Sequence, residues 1–188
     1  MRIIAGAFRG RRLHAPRDQR IRPTIDRVRE AIFNIIAADV PEARVLDLFA
    51  GTGAMGLEAL SRGAAFCVFV DQNAEAARII RDNIELCGAR ERSRVIQDSA
   101  ASAIRRLASK GELFDLIFMD PPYAKGYIRQ TLEFLDAVAE KEALLVAEGH
   151  KRDEAPQCLG PWVKESERRY GDTLIAFYSI KQPSPEEG

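Results

Sequence analysis

From residue 44 onward, short apolar runs alternate with stretches in which apolar positions recur every three or four residues. Arg44–Phe49 is a run of the buried-strand type, and Ala54–Ser61 follows it as a helix. A second strand is expected at Ala65–Val70, then a helix over Ala74–Cys87 that Gly88 would end in a left-handed turn. A third strand at Arg94–Gln97 leads to a helix at Ala100–Ser109. A fourth at Phe114–Met119 leads to a helix at Ile128–Glu140, and Ala143–Glu148 is a fifth strand. Strands apolar along their whole length are buried on both faces, so the repeat predicts an α/β fold with a mostly parallel sheet between two layers of helices. The ending differs. Val163–Tyr170 and Thr173–Ile180 flank Gly171-Asp172, a hairpin signal, so the sheet is expected to close with an antiparallel pair.

Upstream of residue 44 the pattern is shorter and more polar. Residues 1–14 read as two short strands around Gly6 to Gly10, a hairpin, and residues 15–23 as a loop rich in proline and charge. From Thr24 a helix is expected, with Val28, Ile32, Ile35 and Ile36 at three- and four-residue spacings and Pro41 beyond its end. The chain thus divides into a basic arm over 1–23, an α/β domain over 24–181 and a polar, proline-containing tail over 182–188 that is expected to be disordered. There is no internal repeat.

The 188 residues suit one domain with one substantial core. No apolar run is long enough to span a bilayer and residues 1–4 lack a signal-peptide core, so a membrane role is set aside and a cytoplasmic location expected. The three cysteines, Cys67, Cys87 and Cys158, have no CxxC spacing, which speaks against a zinc site or disulfide framework. Net charge is zero but unevenly spread. Residues 1–30 hold nine arginines and no lysine against Asp18, Asp26 and Glu30, a net +6, which leaves −6 for the remainder. This is the asymmetry of a chain whose one end meets phosphates, and arginine bonds phosphate bidentately; a solvated leader would show the same charge.

The first strand runs into Gly51-Thr52-Gly53-Ala54-Met55-Gly56, a G-x-G-x-x-G loop between strand and helix, with Asp71 ending the second strand 20 residues after Gly51. Glycines let the chain turn tightly and let a ligand approach the backbone. A carboxylate at Asp71 can accept both ribose hydroxyls of an adenosine. A nicotinamide dinucleotide and S-adenosylmethionine both satisfy this description. Asp47 favours the second. A carboxylate beside a pyrophosphate is repelled, whereas S-adenosylmethionine carries a sulfonium and an ammonium. Asp47 also reads as a loop-satisfying residue, and Asp98, after the third strand, as either a helix cap or an acceptor for the adenine amino group.

The fourth strand ends in Asp120-Pro121-Pro122-Tyr123. Two prolines fix φ at successive positions and remove two donors, making a stiff bend at the sheet edge where ligands bind in such folds. An exocyclic amine on a purine is a poor nucleophile because its lone pair is delocalised into the ring. A carboxylate (Asp120) and a backbone carbonyl (Pro121) can hold its two N–H bonds, orient the nitrogen and stabilise the developing positive charge. Tyr123 can stack on a base drawn out of its helix.

These motifs together resemble class I amino-methyltransferases with an (Asp/Asn)-Pro-Pro-(Tyr/Phe) signature. Three further segments resemble the RsmD family, bacterial methyltransferases for guanine N2 of small-subunit (16S) ribosomal RNA. They are Arg2-Ile3-Ile4-Ala5-Gly6 with Arg9-Gly10-Arg11, Arg22-Pro23-Thr24 through Asp26–Glu30 to Phe33-Asn34, and Tyr170-Gly171-Asp172-Thr173. The resemblance covers residues 1–181. It implies a seven-stranded Rossmann-like sheet, S-adenosylmethionine as methyl donor, a guanosine of small-subunit rRNA as substrate, and RNA contact through the hairpin and its arginines. The implied donor set is Asp47, Phe49, Ala50, Gly51 and Gly53, then Asp71 and Gln72, then Asp98 and Ser99. Asp120, Pro121 and Tyr123 carry the chemistry. Arg2, Arg9, Arg11, Arg12, Arg22, Arg27 and Pro122 face the RNA. No metal is implied, His14 and His150 are expected at the surface, and a monomer suffices. Thr24 and Arg27 read equally as residues at the pocket mouth or against RNA and as the start of an amphipathic helix, with Asp26 pairing to Arg29 and Arg27 to Glu30.

Three competitors remain. An adenine-N6 methyltransferase uses the same four-residue motif. A nicotinamide oxidoreductase explains the glycine loop and Asp71 but not Asp-Pro-Pro-Tyr. A non-catalytic RNA-binding assembly factor explains the arm but leaves the pocket motifs unused.

Overall fold

The computed structural model describes residues 1–16, 23–120, 134–150 and 155–180. Helix α1 (Pro23–Ile35) precedes an alternation of β1 (Arg44–Leu48), α2 (Ala54–Ser61), β2 (Phe66–Asp71), α3 (Ala74–Cys87), β3 (Ser93–Gln97), α4 (Ala100–Ala108) and β4 (Phe114–Met119). The chain then adds β5 (Ala139–His150), β6 (Cys158–Leu159), β7 (Trp162–Tyr170) and β8 (Thr173–Ile180). All belong to one sheet, ordered β3-β2-β1-β4-β5-β8-β7-β6. Strands β3 to β5 pair in parallel, while β5, β8 and β7 pair antiparallel. Seven strands make up the expected Rossmann-like sheet, and the two-residue β6 extends its edge beside β7.

One assignment changes. The helix expected to run to Glu140 does not reach it: Leu135–Val138 is a single 3-10 turn and Glu140 already lies in β5. Alanine, glutamate and lysine here favour a helix locally, but Ala139 pairs with Phe114 of β4 and Leu144–His150 pair with β8, and tertiary pairing overrides weak propensity. Residues 128–133 of that assignment, and the tail over 182–188, lie outside the described residues.

Alternation along the strands sends side chains to two core layers. Val45, Phe69, Leu116, Phe118 and Phe177 point to one layer, where they meet Phe33 of α1, Leu57 and Leu60 of α2, and Ile80 and Ile84 of α3. Leu46, Leu48, Val70, Ile117 and Tyr178 point to the other, against Ala103, Ile104 and Leu107 of α4 and the buried Trp162. Helices α2 and α3 therefore cover one face and α4 the other. The crossover changes face where the strand order reverses, between β1 and β4, and in doubly wound sheets the crevice at such a point takes the ligand.

The N-terminal segment is part of the first layer. Ile3, Phe8 and Leu13 are buried there. A hairpin forms with one ladder bridge, Arg2 to Arg12, supported by bonds from Ile3 N–H to the Arg11 carbonyl at 3.0 Å and from Gly10 N–H to the Ile3 carbonyl at 2.9 Å. It is fastened to α2. The Glu58 carboxylate, fully buried, accepts the N–H groups of Ile4 (2.8 Å) and Ala5 (3.0 Å), and pairs with Arg62 at 2.8 Å and Arg29 at 3.7 Å. At the end of the same helix the Ser61 carbonyl and hydroxyl accept the N–H groups of Ala7 and Phe8. A Cβ on Gly6 (φ +79°) would lie 1.8 Å from the Ser61 carbonyl oxygen, so the chain passes here only as glycine.

Candidate active site

Beyond Leu48 the chain turns into the glycine loop with left-handed conformations at every second residue: Phe49 (φ 59°), Gly51 (φ 56°) and Gly53 (φ 75°). For Phe49, which carries a Cβ, this conformation is costly and is held by its surroundings. The glycines divide the work. A Cβ on Gly56 would lie 2.4 Å from the Phe69 ring and 2.5 Å from the Cys67 sulfur, so this position lets α2 close on β2. One on Gly51 would meet only the Phe49 carbonyl oxygen, at 3.9 Å, which leaves that side of the loop open.

Two carboxylates shape the loop. Asp71 accepts the Gly51 N–H at 2.9 Å through one oxygen and the Asn73 N–H at 2.8 Å through the other. It ties the glycine turn to the start of α3, whose N-cap is Asn73. Each oxygen keeps a further lone pair for a hydroxyl donor. Asp47, 3% exposed, accepts the Gly56 N–H at 2.9 Å. Burial, opposed in part by that bond, pushes its pKa up to about 8, with Asp120 and Asp71 adding to the rise. Among the described residues no basic side chain pairs with Asp47.

Asp120 is the first residue past β4, and β4 lies beside β1 with Phe118 opposite Asp47. Its side chain has an exposed face, yet the protein packed around the carboxyl pushes the pKa up to about 6 by desolvation. Pro121, Pro122 and Tyr123 lie outside the described residues, as does Arg22. Asp98 follows β3, donates its N–H to the Asp71 carbonyl at 3.1 Å, and accepts the Ser99 N–H at 2.8 Å. Its second oxygen is 3.4 Å from Arg106. The cap of α4 is Ser99, whose hydroxyl accepts the Ser102 N–H. Gln72 is exposed beside Asp71, and Ala50 packs on the first core layer.

The strand ends thus bring together Asp47, Asp71 and Asp120 around an open glycine turn. Two of these carboxyls have raised pKa values, and the crevice favours a ligand that is cationic where it meets them. No group of three His, Cys, Asp or Glu side chains suited to a metal ion occurs among the described residues.

The arginines separate into two kinds. Arg2, Arg9, Arg11, Arg12 and Arg27 are exposed. Arg29 is 3% exposed and structural: it pairs with Asp26 at 3.0 Å, as the sequence spacing proposed, and donates to the Arg2 carbonyl at 2.6 Å. Two functional partners escaped the sequence reading. Asn83 bonds the Thr52 carbonyl, and Glu58 fastens the hairpin. Both had a signal, a polar residue within an apolar helical stripe: Asn83 among Ala77, Ile80, Ile84 and Cys87, and Glu58 between Leu57 and Ala59.

Strand order, glycine turn and acidic strand ends define a Rossmann-like class I methyltransferase fold. Residues 1–179 match the model of the family described as Conserved hypothetical protein 95, and the chain belongs to that family, the RsmD family. Over 180 residues it is 35% identical to Ribosomal RNA small subunit methyltransferase D of Escherichia coli K12, spanning 95% of this chain and 89% of that one. It is 36% identical over 180 residues to YlbH of Bacillus subtilis, a protein named as a candidate rRNA methyltransferase, spanning 95% and 98%. Among solved structures, the yhhF protein of Escherichia coli is similar with a TM-score of 0.84 at 34% identity, covering 97% of this chain and 99% of that one.

Proposed function

We propose that this chain transfers a methyl group from S-adenosylmethionine to the exocyclic N2 amine of a guanosine in small-subunit ribosomal RNA, acting as a monomer. One observation carries the reading: Asp120 stands at the end of β4 beside the Asp47 and Asp71 carboxylates that frame the glycine turn, so an amine acceptor and a cationic donor would share one crevice. The methyltransferase names of relatives aligned over nearly the whole chain support it. When bound, the donor supplies an electrophilic methyl on a sulfonium. Asp71 would receive its ribose hydroxyls, Gly51 and Gly53 would admit it against the backbone, and Asp98 with Ser99 would border the adenine.

The chain's own chemistry is then positional. The Asp120 carboxylate and the Pro121 carbonyl accept the two N–H bonds of the amine, which aims the nitrogen and offsets its growing charge. Tyr123 stacks on the displaced base, with Pro122 stiffening the corner. The nitrogen becomes acidic after transfer, and Asp120 or water takes its proton. Residues 1–23 form the RNA-contacting unit, with Arg2, Arg9, Arg11, Arg12, Arg22 and Arg27 against phosphates.

The test is transfer of labelled methyl to small-subunit rRNA, followed by mass analysis of its nucleosides, with duplex DNA in parallel. N2-methylguanosine is the expected product. N6-methyladenosine in either substrate would move the assignment to the adenine enzyme, and no transfer to either would remove it.

A further inference from the structure

Helix α2 begins at the glycine loop and ends at the hairpin, and the hairpin lies along it. The contact at the loop end is centred on one side chain, Asn83 of α3. It is fully buried and makes three hydrogen bonds, using both of its donors and accepting one. Its oxygen accepts the His14 N–H at 2.7 Å. Its amide nitrogen donates to the His14 carbonyl at 3.0 Å and to the Thr52 carbonyl at 2.9 Å. The orientation is fixed by its partners, because a flipped amide would set its oxygen against two carbonyl oxygens. Thr52 is the residue between Gly51 and Gly53. Its hydroxyl also reaches the Met1 sulfur at 3.3 Å, and Met1 is joined to the other strand of the hairpin by the bond from Leu13 N–H, at 3.2 Å. Both ends of the hairpin therefore converge on the middle of the glycine turn.

We propose that Asn83 is a positioning residue that couples the arginine hairpin to the donor loop, so that RNA held on the hairpin tightens the binding of the methyl donor. The proposal rests on the functional reading above. A turn built on two left-handed glycines is conformationally permissive, and the fixed Thr52 carbonyl removes part of that freedom. The fixing depends on where His14 sits. Phosphates that hold the hairpin in place hold His14, through it the Asn83 amide, and through that the Thr52–Gly53 peptide. A donor that binds afterwards orders a loop already partly ordered, and by linkage the donor strengthens RNA binding by the same factor.

The test is calorimetric titration of the full chain with S-adenosylhomocysteine, alone and with a saturating in vitro transcript of small-subunit rRNA. In the wild type, RNA is expected to tighten the ligand by about 5- to 50-fold, within the usual range of such couplings. In Asn83→Ala, and in Asn83→Asp, which keeps the acceptor for His14 but loses both donors, the ratio is expected to fall to about one. Gly6→Ala acts at the far end of α2, where the hairpin turn would be driven off Ser61. It is expected to lose the same factor, and to lose nothing more when combined with an Asn83 substitution. It keeps the idea testable if the Asn83 variants do not fold.

RNA binding by the wild type is read in the same samples. If RNA binds and S-adenosylhomocysteine affinity does not change, the coupling is wrong and the functional reading stands. A folded Asn83 variant with an undiminished ratio overturns it equally. A wild type that binds no RNA overturns both.

Discussion

The Asp47 carboxylate accepts the Gly56 N–H at 2.9 Å, from a position closed to water and beside two further acids. This bond joins the end of β1 to the first turn of α2, and it leaves a buried acid with its pKa raised from 3.8 to about 8. The folded protein consequently keeps a proton at Asp47 that the unfolded chain releases above about pH 4. Between those two values the native state binds more protons than the unfolded state, so stability falls as pH rises from about 4 to about 8. Asp47→Asn keeps an acceptor for Gly56 and removes the titration. Thermal unfolding from pH 5 to 8 should show a declining midpoint in the wild type and a flatter profile in the variant; parallel profiles would count against a buried proton at this position.

The same group should report on the donor. A sulfonium or ammonium placed near Asp47 favours its ionised form, so binding of S-adenosylmethionine near neutral pH should release a proton. Calorimetry in two buffers of different ionisation enthalpy measures that release, which Asp47→Asn should reduce. Equal proton release in both proteins would place the cation elsewhere.

Asp120 makes a different demand. It offsets the positive charge growing on the amine only as a carboxylate, and its pKa lies at about 6. Turnover is therefore expected to rise with pH through about 6 and then level. Asp120→Ala should lower kcat by roughly 10²–10³-fold, the range for losing one such electrostatic contact, with S-adenosylhomocysteine affinity within about threefold of wild type. Undiminished turnover in the variant would remove Asp120 from the reaction.

What the sequence disclosed and what it hid differ in range of interaction. Phe114–Met119 is the observed β4 residue for residue, because an apolar run ended by Asp-Pro-Pro is a local signal. The glycine loop and Asp71 could be read for the same reason: the residues that shape the turn are neighbours or lie one strand away. The start of β5 could not. Ala139 through Glu142 favour a helix taken alone, and it is the pairing of Ala139 with Phe114 of β4, and of the following residues with β4 and β8, that draws them into the strand. The hairpin was visible as charge and glycine, but its docking was not. Its partners Glu58, Ser61 and Asn83 stand 53 to 69 residues away, beyond the reach of any periodicity.

Glu58 fastens that docking from inside. Its carboxylate meets two backbone N–H groups and two guanidinium groups without solvent, and Arg29, also buried, depends on it. Removing Glu58 leaves the Ile4 and Ala5 N–H groups without an acceptor and Arg29 with Asp26 as its remaining counter-charge, at a cost of about 3–5 kcal/mol. Glu58→Ala should lower the unfolding free energy by that amount in urea titration. A loss below about 1 kcal/mol would mean that the hairpin is held by Ile3, Phe8 and Leu13 alone.

The exposed arginines of the hairpin should separate by their contacts. The side chains of Arg9 and Arg12 are exposed and hold nothing in the fold among the described contacts, so each phosphate they neutralise should appear only in binding. Replacing either by alanine should reduce the slope of log Kd for RNA against log salt by about one, with stability within about 0.5 kcal/mol of wild type. Arg11 is tied down: its guanidinium donates to the Leu86 carbonyl at 2.5 Å and lies 5.4 Å from the centre of the Phe8 ring, whose other neighbour is Arg92 at 5.6 Å. Arg11→Ala should therefore change both readouts, adding about 0.5–1 kcal/mol of destabilisation from the lost ring contact. An RNA salt slope that is unaltered when all three are replaced would mean that the hairpin's charge faces solvent, and that RNA is gripped elsewhere.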